Sequence, residues 1–136
     1  MENIYYKIWV DAIYLERTNN ERYRNWKVYT MIGMTMMQFL NFMALTLLLY
    51  SFKIKYNVVL IDFLPGSMLD GFLSGCIIAM PLAFINYLLI FRKRRYEILL
   101  IKYKNNNGKL YKRYMLLSLG LFILPVYIIK IFDLSL

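Results

Sequence analysis

The chain has 136 residues, 60% of them hydrophobic, with 17 Lys and Arg against 8 Asp and Glu and a net charge of +9. A soluble domain of this length is near half apolar and does not gather its apolar residues into three long blocks, so composition points to a membrane protein. His is absent and the single Cys, Cys76, lies inside a block, which excludes the usual Cys/His zinc sites and any disulfide within the chain.

Residues 1–17 read as an N-terminal amphipathic helix. Ile4, Ile8, Ala12 and Leu15, joined by Tyr5, Trp9 and Ile13, form an apolar face, and Asn3, Lys7 and Asp11 line the other side. The segment is too short and too charged to span a bilayer. Such helices lie at the membrane interface or dock on the ends of spanning helices. Docking is favoured, because the face carries one cation, Lys7. The first 25 residues hold four acids and no short apolar core, so no removable signal peptide is expected and the first span serves as insertion signal.

Residues 18–50 form the next unit. Thr18 and Glu21 make a capping box, which predicts a helix from Thr18 to about Tyr50 with a transmembrane span over about 28–50. Arg22, Arg24 and Lys27 project into the cytoplasm, while Trp26 and Tyr29 mark the interface. Thr35, Gln38, Asn41 and Thr46 share an arc of roughly 140°. Amides in hydrocarbon either bond across helices or line a wet path, and both readings stay open. Residues 51–70 form an outer loop of balanced charge, with a turn signal at Pro65-Gly66-Ser67.

Residues 71–91 are the second span. Gly71, Gly75, Ala79 and Ala83 form a small-residue stripe for helix packing, either within the chain or between subunits, with Asn86 under its middle. Pro81 should kink this helix. The basic segment 92–113 opens with Arg92, Lys93, Arg94 and Arg95, and helical periodicity continues through Tyr96, Leu99, Leu100 and Tyr103 until Asn105-Asn106-Asn107-Gly108 breaks it. The third span, 114–132, contains Pro125 as a second kink and Lys130 near its outer end. Fourteen cations fall on the side holding the N-terminus and the 92–113 segment, and three fall on the other. The bias predicts insertion in a bacterial inner membrane with the N-terminus inside and the C-terminus outside.

Catalysis has little to stand on. There is no His for a triad, no pair of acids in a span, and no Gly-rich phosphate loop after a strand. No cofactor and no metal site is expected. What remains is a membrane body with a cationic layer. The plain reading of that layer is positive-inside residues touching anionic lipid. The sharper one is an anionic ligand held by Arg92, Lys93, Arg94, Arg95, Lys102, Lys104, Lys109, Lys112 and Arg113, with Arg22, Arg24 and Lys27. The interleaved Tyr96, Tyr103, Tyr111, Trp26 and Tyr23 would suit single-stranded nucleic acid or nucleotides, by phosphate pairing and base stacking.

In layout, the amphipathic start Met1–Arg17, the three spans and the basic layer Arg92–Arg113 resemble the small multi-span, channel-type membrane effectors of bacterial antiphage defence operons. The resemblance covers the whole chain but no diagnostic motif, so it transfers no functional residue. It implies an inner-membrane homo-oligomer, a tetramer as the working number, opened by a nucleotide or oligonucleotide signal from a partner nucleotidyltransferase. The expectation is therefore an ion channel regulated from the cytoplasmic side, with Thr35, Gln38, Asn41, Thr46 and Asn86 lining or bracing its path. The alternative is a non-conducting accessory or scaffold subunit that recruits a partner protein through the basic layer.

Overall fold

The computed structural model describes residues 3–19, 23–52 and 68–131. It is helical throughout the described elements. Helix α1 runs Ile4–Thr18, α2 Trp26–Ser51, α3 Met68–Asn86, α4 Arg95–Lys102 and α5 Lys109–Ile131. Three segments are long and apolar enough to cross a membrane: Trp26–Leu49, Gly75–Lys102 and Lys109–Ile128. Their outward faces are as apolar as their inward ones, with Ile32, Met36, Met80, Phe84, Leu116 and Leu117 all exposed. Helices that are hydrophobic all round are those meant for an apolar surround.

Local chemistry sets the helix ends. Asn3 caps α1 by accepting the Tyr5 N–H at 3.0 Å, as short polar side chains do at this position. The capping-box reading of Thr18 is corrected. Its hydroxyl donates back to the carbonyls of Tyr14 and Leu15, at 2.9 and 3.0 Å, so it closes α1 instead of opening the next helix. Glu21 and Arg22 lie outside the described residues. A short 3-10 turn, Tyr23–Asn25, then leads into α2, which starts at Trp26 rather than Thr18. Lys53, Lys55, the turn at Pro65-Gly66-Ser67 and Asp133 also fall outside the described residues.

Helix α2 is the centre of the body, packed on α3, α5 and α1. Both prolines sit inside helices that continue through them, Pro81 in α3 and Pro125 in α5. The sharp break lies elsewhere. After Asn86 the chain makes a π-helical turn, Tyr87–Phe91, and a 3-10 turn, Arg92–Arg94. Arg92 has ψ 133°, and Lys93 and Arg94 are both left-handed, with φ 53° and 56°. A left-handed non-glycine residue costs about 1–2 kcal/mol, so two in succession need an outside cause. The helix expected to continue past the basic cluster is therefore interrupted there. The cause is packing: residues five apart on a helix point about 140° away from each other. Only a broken helix lets Phe91 and Tyr96 meet, and their ring centroids lie 6.0 Å apart.

Candidate functional site

The site is the end of the molecule where α1 docks on the α3–α4–α5 turns. Helix α1 enters the core with Trp9, Ala12 and Ile13, which pack with Met34, Ile90, Tyr96 and Tyr111. Trp9 meets Phe91 edge to face at 5.9 Å, and Trp26 meets Tyr96 likewise at 5.2 Å. Asp11, which periodicity put on the polar side of α1, is instead fully buried. Its two oxygens accept the backbone N–H groups of Asn106 and Leu110, the latter at 2.8 Å. A helix start leaves such donors unsatisfied, so a carboxylate from another helix caps α5. One residue-turn further along, Leu15 covers Gly108. That glycine has φ +75°, and a Cβ there would come 2.9 Å from Leu15 Cδ1. The sequence places Asp11 on the polar side of α1 and Gly108 in a helix break, and pattern alone gives neither its partner.

The cations crowd this same end and stay outside. Arg92, Lys93, Arg94, Arg95, Lys102, Lys104, Lys109, Lys112 and Arg113 are exposed, as are Arg17, Arg24 and Lys27. Of the acids on these elements, Asp11 and Glu16 are buried and Glu97 is exposed. Exposed cations therefore outnumber exposed acids at this end. An open cavity of about 380 Å³ lies beside the α5 start, lined by Asn105, Asn106, Asn107, Lys109, Leu110 and Arg113.

The aromatic residues behave otherwise. Tyr96, Tyr103 and Tyr111 are buried, at 9, 7 and 4% exposure. Trp26 is half-buried between Phe91 and Tyr96. The side chain of Tyr23 is outside the described residues. These rings form the core of the basic end, so the expected stacking platform for bases is corrected to an internal aromatic cluster. Cations cover it: Lys27 Nζ sits 5.0 Å from the Tyr96 ring, Arg17 lies 5.3 Å over Trp26, and Lys102 lies 5.5 Å from Tyr103. Such contacts hold cations over aromatic faces.

Four polar residues of the long helices, Thr35, Gln38, Asn41 and Asn86, bond across helices. Asn86, 1% exposed, donates to Thr35 Oγ1 at 3.2 Å and to Gln38 Oε1 at 2.8 Å. Its Oδ1 accepts from the Tyr5 hydroxyl at 2.9 Å, which ties α1 into the same cluster. Burial pushes the Tyr5 phenol above its ordinary pKa, with Trp9 and Gln38 partly opposing. Asn41 donates to the Tyr114 hydroxyl at 3.1 Å, and Thr46 donates back to the Met43 carbonyl at 2.8 Å. The small-residue stripe of α3 turns toward α2, where a Cβ on Gly75 would rest 3.7 Å from Phe39. Ala79 and Ala83 are half-buried, and the surroundings of Gly71 are outside the described residues. The tightest glycine is Gly33 of α2, where a Cβ would collide with the Tyr111 hydroxyl of α5. Among the described residues no three His, Cys, Asp or Glu gather where they could hold a metal ion.

No protein-family model matches the chain, and neither a curated protein nor a solved structure matches it.

Proposed function

We infer that the chain is an integral protein of a bacterial inner membrane, N-terminus inside and C-terminus outside, that offers its basic end to an anionic partner as a non-conducting accessory or scaffold subunit. One observation carries this reading: the nine cations of 92–113 are all exposed, and Glu97 is the one acid among the residues of that segment. Two further facts support it over a pore. Thr35, Gln38 and Asn86 hydrogen-bond to one another within one chain, and Asn41 donates to Tyr114. The tyrosines that would stack on bases are core residues, which favours an acidic protein surface or lipid headgroups over a nucleic acid.

A homo-oligomeric channel regulated by a nucleotide or oligonucleotide, as in antiphage defence, is the second reading. It is favoured by Pro81, which is exposed and deprives the Ile77 carbonyl of its helical donor on a face where Ile77 is 44% exposed. A neighbouring copy packed there would cover that backbone. The test is conductance of the purified, inserted protein in planar bilayers, with and without short single-stranded DNA on the basic side. Silence under both conditions is expected from the scaffold. Discrete currents that respond to the DNA would overturn it in favour of the channel.

A further inference from the structure

Between Leu82 and Tyr103 the sequence has neither Gly nor Pro, and its Leu, Arg, Lys and Glu are good helix formers. Local preference alone therefore asks for one continuous helix through the basic cluster. The structure instead breaks it, with Lys93 and Arg94 both left-handed. Strain of this kind persists only where the surroundings over-determine it. The four side chains from Arg92 to Arg95 cannot do so, because all are exposed.

What holds the bend is the packing on either side of it. Phe91 and Tyr96 are drawn to one cluster, in which Trp26 of α2 lies against both rings and α1 supplies a further wall through Trp9, which sits on Phe91. Asp11 fixes α1 to the turn that follows α4. The docked α1 and the bent joint are thus two parts of one arrangement. We propose that the joint between Phe91 and Tyr96 is a two-position switch, bent while α1 is docked and straightening into a continuous α3–α4 helix when Trp9 and Asp11 let go. The inference does not depend on which partner the basic end receives.

The distance across the joint tests it directly. Spin labels at Phe84→Cys and Ile101→Cys, both exposed positions, are placed in the full chain with Cys76→Ala and reconstituted in bilayers. A continuous helix would separate these Cα atoms by about 26 Å, and a bent joint brings them closer. The otherwise unaltered protein should give the shorter distance, and Trp9→Ala/Asp11→Ala should move at least half of the population to the longer one. Adding Lys93→Gly/Arg94→Gly, which removes the left-handed penalty, should return it. A long distance before Trp9 and Asp11 are replaced, or a short one unchanged afterwards, overturns the proposal. Reciprocity supplies a second arm that leaves α1 intact. Lys93→Gly/Arg94→Gly should slow amide exchange at Asn106 and Leu110 several-fold, and Lys93→Val/Arg94→Val should speed it, although both remove the same two charges. Equal exchange in the two variants overturns the coupling.

Discussion

The Asp11 carboxylate holds the backbone N–H of Leu110, 99 positions further along the chain, at 2.8 Å. The same carboxylate takes the Asn106 N–H, so one side chain of α1 secures the turn into α5. Replacing Asp11 with Ala should remove both of these part-buried bonds to a carboxylate, at a cost of about 1.5–3 kcal/mol. Asn, which keeps one acceptor oxygen, should recover part of that. Denaturant unfolding gives the energy, and amide exchange at Asn106 and Leu110 gives the location.

Gly108 is predicted to resist substitution for two separable reasons. Ala at φ +75° meets the left-handed penalty of about 1–2 kcal/mol, and its Cβ presses on Leu15. Leu15→Ala in the same chain should relieve the second and leave the first. A double-mutant cycle should therefore show favourable coupling between the two changes, and additive losses would count against the contact.

Tyr5 gives α1 docking an alkaline limit. Its phenol is raised above the ordinary value by burial, so docked α1 keeps its proton more tightly than free α1. The stabilisation is complete below about pH 10, the ordinary tyrosine value, and is lost as pH climbs through the raised one. Tyr5→Phe removes the hydrogen bond to Asn86 Oδ1 and should weaken docking by about 1 kcal/mol at neutral pH. It should also abolish this part of the alkaline transition, read by tryptophan emission from Trp9 and Trp26.

Two glycines should respond oppositely to the same change. Gly33→Ala drives a Cβ into the Tyr111 hydroxyl and should cost about 1–3 kcal/mol through overpacking at the α2–α5 contact. Gly75→Ala places its Cβ at ordinary contact distance from Phe39. It should be neutral or slightly stabilising, because Ala suits a helix interior better by about 1 kcal/mol. Thermal unfolding of the two variants in one detergent makes the comparison.

Much of the fold was legible because long apolar runs leave few alternatives. The three candidate spans, the Asn105–Gly108 break and the exposed cations could all be read locally. The amides of α2 could be read only as two options, since periodicity shows which residues share a face but not what stands opposite. Asp11 was misread for the same reason: it lies on the polar side of an isolated α1, and its burial comes from a turn almost one hundred residues away. Tyr96, Tyr103 and Tyr111 alternate with cations in sequence, which resembles a stacking surface. The burial of Tyr96 goes with the break at Lys93 and Arg94, a backbone conformation that neither residue type advertises, while Tyr103 is covered by Tyr6 and Tyr111 by α2 at Gly33. Gly33 is a lone glycine in an apolar run, and nothing in the run predicts the tyrosine above it.

The long reach of the α1 contacts has a consequence for biosynthesis. Translation proceeds at about 5–20 residues per second, so Leu110 follows Asp11 out of the ribosome by roughly 5–20 s. For most of that interval Trp9, Ala12 and Ile13 are already made, while Ile90, Tyr96 and Tyr111, which help to bury them, do not yet exist. The nascent N-terminal segment must find temporary shelter, at a lipid surface or in a chaperone, and then give it up. Of the described helices, α1 is made first and completes its packing last.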